Sequence, residues 1–213
     1  MEALLYNMLN LTKINDHISY IEPTTNPLSA NVAIIKTNKN IWLYDVGNNP
    51  DIPDIIDELN VDKLNVNVIL SHFHPDHIGN INKINGNHIY QSKNTFKYTK
   101  VGDIVDSDIF IEDDNIKLHI FPVPSSHAKG CIALEVDEQY CFLGDAIYPK
   151  NNPDVKLYNS GILKEQIDTL KKIKASKYML SHKTPFAQSS KGIIKWLEHI
   201  YAMRKPNEVY INI

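Results

Sequence analysis

The sequence predicts one domain of mixed α and β structure, and three observations carry that expectation. Its 213 residues suffice for one substantial core and fall short of two ordinary ones. Two β-rich stretches, from Leu4 to about Gly47 and from about Asp108 to Gly144, each run on into segments with helical character. No low-complexity linker or internal repeat interrupts the chain, so the domain is read as residues 1–213.

In chain order, Asn31-Val32-Ala33-Ile34-Ile35 and Ile41-Trp42-Leu43-Tyr44 are apolar segments around the polar turn Thr37-Asn38-Lys39-Asn40, a pattern that predicts an antiparallel meander. A short helix fits Pro53 to Leu59, a buried strand fits Val66 to Leu70, and Pro75 suits the first turn of another helix. The result is a β-α-β-α passage. After the second β-rich stretch, Leu163, Ile167, Leu170 and Ile173 recur at helical spacing and predict a helix over about Leu163 to Lys174, whose Lys171, Lys172 and Lys174 read as solvated charge. A short strand at Tyr178 to Leu180 and a last helix near Gly192 to Met203 complete the pass.

Bulk composition narrows the partners. With 43% hydrophobic and 22% charged residues the chain is globular in character, and a formal net charge of -3 offers no general attraction to nucleic acid or to an anionic membrane. A small molecule is the expected partner. Cys131 and Cys141 flank the turn Val136-Asp137-Glu138-Gln139; an even-length loop there would set them on opposite strand faces, so no disulfide is expected. Met1-Glu2-Ala3-Leu4-Leu5-Tyr6-Asn7-Met8 lacks the basic start and long apolar run of a signal peptide, and no stretch is long enough to span a bilayer, which predicts a cytoplasmic address.

The densest chemistry lies in Ser71-His72-Phe73-His74-Pro75-Asp76-His77-Ile78-Gly79, where three imidazoles and a carboxylate follow an apolar strand. His72 and His74 stand two apart in an extended segment, and Pro75 biases His74 toward extended geometry, so both can face one metal ion. The chain then turns into a helix, from which Asp76 and His77 can reach a second ion nearby. Imidazole and carboxylate are ligands that zinc accepts.

With three later segments, this motif closely resembles the metallo-β-lactamase superfamily, whose hallmark is His-x-His-x-Asp-His followed in order by a histidine, an aspartate and a last histidine. Those segments are Phe121-Pro122-Val123-Pro124-Ser125-Ser126-His127, Phe142-Leu143-Gly144-Asp145-Ala146 and Leu180-Ser181-His182. The resemblance implies an α+β fold, a four-layer αββα sandwich with the metals at one edge. It further implies that His72, His74 and His127 hold one ion, that Asp76, His77 and His182 hold the other, and that Asp145 bridges them. Asp45, in Leu43-Tyr44-Asp45-Val46-Gly47, resembles the family's aspartate that orients the histidine loop from behind. The chain departs from the pattern at Ser125-Ser126, where Pro-Gly is common, and at Ser181, where glycine is usual. His17, His88, His119 and His199 lie outside any such spacing and are expected to be structural or surface residues.

By the same resemblance, the chemistry is hydrolysis by a hydroxide held at a dinuclear site, with zinc the expected metal and iron or manganese the alternatives. No serine or cysteine nucleophile is required; Cys131, in the apolar run Cys131-Ile132-Ala133-Leu134, is expected to be buried. The superfamily cleaves thioesters, lactones, β-lactams and phosphodiesters at similar centres, so substrate must be argued separately. The 31 residues after His182 leave no room for the helical substrate domain of glyoxalase II, and the lack of a basic block disfavours a ribonuclease Z-like role. A small ester, thioester or lactone is the expected substrate class, and within it Tyr148, three residues after Asp145, favours a lactone, because it resembles the tyrosine that acyl-homoserine lactonases set beside the metals. The competing readings are a mono-iron dioxygenase of the same fold and a non-catalytic metal-binding relative.

Overall fold

A computed structural model describes residues 10–152 and 155–213. The start of the first β-rich stretch, at Leu4, and the Met1–Met8 segment lie outside the described residues. Two sheets dominate. The first has seven strands in the order Leu11–Lys13, Ile18–Ile21, Val32–Lys36, Asn40–Tyr44, Asn65–Ile69, His88–Gln91 and Asp103–Ile104. Its first four strands pair antiparallel, as the meander predicts, and the rest pair parallel. The second sheet has six strands, Ile109–Asp113, Ile116–Val123, Cys131–Val136, Tyr140–Gly144, Lys177–Leu180 and Ala187–Ser189; all neighbours are antiparallel except Tyr140–Gly144 with Lys177–Leu180.

The four layers follow from strand alternation. In Val32-Ala33-Ile34-Ile35 and Ile41-Trp42-Leu43-Tyr44 every residue is buried, because each sheet is covered on both faces. Val32, Ile34, Ile41 and Leu43 point outward onto Ile52 and Ile56 of helix α1 (Ile52–Leu59). Ala33, Ile35, Trp42 and Tyr44 point inward and meet Leu118, Ile120, Ile132, Leu134 and Phe142 of the second sheet. The other face of that sheet, with Ala133, Cys141, Leu143, Tyr178 and Leu180, packs on helices α4 (Ser160–Leu170) and α5 (Ser190–Ala202). Helix, sheet, sheet and helix therefore stack as the αββα sandwich. Two buried hydrogen bonds cross between the sheets: Tyr44 Oη donates to Ile132 O at 2.8 Å and Trp42 Nε1 donates to Asp113 Oδ2 at 2.6 Å. Among the described residues no helix is long and apolar enough to cross a membrane.

Helix α1 and the strands at 65–69 and 177–180 lie within a residue of expectation. Helices α4 and α5 begin two to three residues early because the Asn159 and Ser189 side chains cap them, accepting from Ile162 N and Gly192 N. Helix α2, expected from Pro75, is a single turn, Pro75–Ile78. Helix α3 (Lys93–Thr99) and a small three-stranded sheet of Lys150–Asn152, Val155–Asn159 and Tyr210–Asn212 were not anticipated. The expected lysine surface holds, with Lys171 pairing with Glu198 of α5 at 2.7 Å and both side chains about half exposed.

The cysteine geometry needs a correction. Val136 pairs with Tyr140, so the hairpin loop has three residues and not an even number; Asp137 and Glu138 take left-handed backbone at φ 52 and 55. That puts Cys131 and Cys141 on the same face, both in the core beneath α4 and α5. They remain free thiols because Cys141 stands opposite Glu135, four residues and about 13 Å along the strand from Cys131.

Candidate metal centre

Every ligand candidate follows the C-terminal end of a strand at one edge of the sandwich. Strand Asn65–Ile69 leads into His72 and His74, and α2, whose first turn Pro75 pre-sets, carries Asp76 and His77. The second sheet supplies His127 after Ile116–Val123, Asp145 after Tyr140–Gly144, and His182 after Lys177–Leu180. The chain thus brings all seven sequence-predicted positions together.

Three groups of donor atoms, each lying within 4.8 Å of one another, make up the cluster: His72, His74 and His127; His72, His77 and Asp145; and Asp76, His77 and His182. In the first, His74 Nδ1 is 2.9 Å from His72 Nε2 and 3.1 Å from His127 Nε2. In the last, Asp76 Oδ2 is 3.0 Å from His182 Nε2 and 3.5 Å from His77 Nε2. Asp145 stands between them, with Oδ2 at 3.3 Å from His127 Nε2 and 3.5 Å from His77 Nε2, and Oδ1 at 3.9 Å from His182 Nε2. Two donors on a tetrahedral ion with bonds near 2.0 Å stand about 3.3 Å apart, which is the spacing found here.

The far ring nitrogens are engaged from behind. Ser71 Oγ lies 3.0 Å from His72 Nδ1, Pro149 O lies 3.2 Å from His127 Nδ1, and Asp45 Oδ2 lies 2.7 Å from His77 Nδ1. Asp45 also accepts from Ser71 N and Ser71 Oγ, each at 2.7 Å, so it braces the histidine loop as well as one imidazole. These contacts aim Nε2 of His72, His127 and His77 at the cluster. His77 Nε2 and Asp145 Oδ1 are buried with no hydrogen-bond partner. A buried polar atom left unmatched is costly, and a divalent cation satisfies both a neutral imidazole nitrogen and a carboxylate oxygen.

Electrostatics separates the imidazoles. Burial, reinforced by the neighbouring rings, pushes His72 far below the ordinary histidine range, and burial with His127 lowers His74, so both are neutral and have lone pairs to give. Burial alone would also lower His77, but the carboxylate of Asp45, aided by Asp145, outweighs it and holds the ring up at about 10. Asp76 is held down despite its burial, chiefly by the hydrogen bond from His182.

His127, Asp145 and His182 form one wall of a cleft of about 700 Å³, whose other walls include Tyr148, Tyr158, Ile193 and Trp196, with Lys156 and Lys183 at its rim. The Tyr148 ring lies 6.3 Å from that of His127, centroid to centroid. Its hydroxyl donates to Ser181 O at 2.5 Å, and burial followed by the charge of Asp145 pushes its phenol up. Of the remaining histidines, His119 is held between Asp108 and Glu135 and stacks on Phe110 and Phe121 in the second sheet, away from the cluster. Sequence reasoning did not single out Ser71, Pro149 or Asn31, whose Oδ1 accepts from His182 N at 3.1 Å. Ser71 adjoins the motif and was open to recognition; Asn31 stands 151 residues from its partner and leaves no local signal.

The family model described as the metallo-beta-lactamase superfamily matches residues 25–92, which include the whole His-x-His-x-Asp-His motif. No curated protein matches the chain by sequence. Among solved structures, the DIM-1 metallo-beta-lactamase superposes with a TM-score of 0.70 at 13% identity, covering 91% of this chain and 97% of that one. A metallo-beta-lactamase from Pontibacter korlensis gives 0.65 at 14% identity, covering 89% and 97%. A flavo di-iron protein variant from Thermotoga maritima gives 0.68 at 12% identity over 94% of this chain, which spans 64% of that longer chain. At these identities the solved structures speak for the fold alone. Together with the family match over residues 25–92, they show that the chain has the metallo-β-lactamase fold, with the ordered His and Asp cluster at one edge of the sandwich.

Proposed function

We propose that the chain is a hydrolase of the glyoxalase II and acyl-homoserine lactonase-like branch, holding two metal ions, with zinc the preferred metal, and cleaving a small ester, thioester or lactone. The observation that carries this reading is the pair of donor groups at one sheet edge with Asp145 between them. His72, His74 and His127 are assigned to one ion, Asp76, His77 and His182 to the other, and Asp145 to both. The unpartnered His77 Nε2 and Asp145 Oδ1 fit that assignment, since each gains a partner from a cation. Bound there, the ions supply a Lewis acid and a water-derived nucleophile at neutral pH.

The chain's own residues do the rest. Asp76 and Asp145 would fix the approach of the nucleophile, while Asp45 accepts from His77 Nδ1, so that the proton given up on ligation is the one at Nε2. The cleft has a volume suited to a small molecule, and its Tyr158, Ile193 and Trp196 wall favours an apolar acyl portion. Tyr148 is assigned to the substrate carbonyl, where its hydroxyl exchanges the Ser181 carbonyl for the developing oxyanion. Tyr148→Phe is therefore expected to lower the catalytic rate about ten- to a thousand-fold with little change in stability; a rate within about twofold of wild type removes the tyrosine from the chemistry.

Elemental analysis of protein purified without added metal, followed by a panel of thioesters, lactones and phosphodiesters, tests the whole reading. Two equivalents of zinc and turnover of an ester-like substrate are expected. One equivalent of iron with oxygen consumption would instead establish the dioxygenase, and bound metal without turnover across the panel the non-catalytic relative.

A further inference from the structure

We infer that Asn31 is a positioning residue for His182, and through it for the second metal position; the inference rests on the reading that His182 ligates a metal. His182 differs from His72, His77 and His127 in how it is held. His72, His77 and His127 each have the far ring nitrogen engaged by Ser71, Asp45 or Pro149 O, whereas among the described residues no group is in hydrogen-bond range of His182 Nδ1. The ring is also more open than those three, with its side chain 27% exposed. Apart from the Asp76 contact at Nε2, its direction comes from the backbone, and that backbone is left-handed at φ 61, a sparsely populated conformation that its surroundings hold in place.

The enforcing contact comes from a distant segment. Asn31 is 2% exposed, and its Oδ1 accepts the N–H of His182 at 3.1 Å across 151 residues of sequence. The same amide leaves Nδ2 buried and without a partner, so the side chain makes its one bond at the expense of another. Only the oxygen end can accept an N–H, so the contact to His182 sets the orientation of the amide. Next to it, Ala30 N donates to Asp76 O at 2.9 Å. Residues 30–31 thus grip the backbones of two members of one donor group, Asp76 and His182, whose Oδ2 and Nε2 stand 3.0 Å apart. The group formed by His72, His74 and His127 has no contact of this kind with the segment among the described residues.

The assignment predicts a selective effect. Asn31→Leu keeps the approximate shape and removes the acceptor, while Asn31→Asp keeps an oxygen facing His182 N and exchanges the unpartnered donor for a second, negatively charged carboxylate oxygen. In zinc titrations of the full chain against a competing chelator, Asn31→Leu is expected to weaken the second ion about ten- to a hundred-fold and leave the first unchanged, and Asn31→Asp to restore the second to within about threefold of wild type. Asn31→Ser, smaller and still polar, replaces the leucine variant should that one not fold, with the same direction expected. Equal second-ion affinity in wild type and Asn31→Leu overturns the inference, as does equal weakening of both ions. Histidine-ring NMR of the metal-free proteins separates this from the functional reading. There the His182 ring is expected to lose its contact with Asp76 in Asn31→Leu, and an unmoved ring overturns the role of Asn31 whatever the metal count. A wild type that binds one ion only would overturn the dinuclear reading, and the ring measurement would still decide on Asn31.

Discussion

Asp45 is wholly buried, and its two oxygens accept from Ser71 N, Ser71 Oγ and His77 Nδ1. Removing it strands Ser71 N and leaves the buried His77 without its carboxylate, while Ser71 Oγ still lies 3.0 Å from His72 Nδ1, so Asp45→Ala should lose about 3–5 kcal/mol of stability, the cost of breaking a buried ion pair. Urea denaturation reads that loss, and metal titration should show a weakened His77 position alongside it. The His77 charge gives a pH signature of its own. Its pKa in the metal-free fold, about 10, lies above the ordinary unfolded value of about 6.5. The ring therefore binds its proton more tightly folded than unfolded, and the stability this supplies is full below about pH 6.5 and fades as pH climbs toward 10. Metal reverses the dependence, because ligation at Nε2 displaces that proton. Zinc added to metal-free protein in weak buffer at pH 7 should release about one proton per chain from this residue, and His77→Gln should abolish that release.

At the level of elements, the strands that read as continuous apolar runs were legible because burial on both faces leaves no polar position to blur them, and α1, α4 and α5 because their apolar residues recur at helical spacing. Helix α3 was not, since its buried residues are Thr95 and Thr99 and its only local signal is the Ser92 side chain accepting from Thr95 N. The three-stranded sheet was hidden for a different reason: Tyr210–Asn212 pairs with Val155–Asn159 some fifty residues earlier, and short half-exposed strands carry little pattern. The hairpin at Asp137 and Glu138 was misread because two non-glycine residues take left-handed backbone there. The histidine motif was legible because its four His and Asp residues are local and fixed in order, whereas the Asn31 contact with His182 is purely tertiary. Gly144 joins the two scales. It ends its strand at φ 53, and a Cβ there would stand 2.7 Å from both Cβ and Oγ of Ser71. Gly144→Ala must therefore push Ser71 away from Asp45 and strain the turn into Asp145. A loss of about 2–4 kcal/mol and weakened metal binding are expected, and a variant with wild-type stability and metal content would show that the turn can relax.

Across the whole molecule, the first sheet supplies Asp45, His72, His74, Asp76 and His77, and the second supplies His127, Asp145 and His182. Metal at this edge would add a tie between two layers already joined by the apolar cluster between them and by hydrogen bonds that include those of Tyr44, Trp42 and Asn31. That cluster contains no metal ligand, so the metal-free chain should keep its fold. The ions should stabilise it by mass action instead: a hundredfold excess of free metal over its dissociation constant adds about 2.7 kcal/mol for one site. For a chain of this length, about 2–4 °C of melting temperature accompanies each kcal/mol, so stripping one such ion should lower Tm by about 5–11 °C. Asp145 is the one residue assigned to both ions, so a substitution there should weaken both, whereas each other donor belongs to one ion. Calorimetry with and without chelator should therefore give one cooperative transition in each case, shifted down in the stripped protein and restored by zinc. Two separated transitions in the stripped protein would mean that the sheets unfold independently, and that the metal edge, more than the core between the layers, holds the sandwich together.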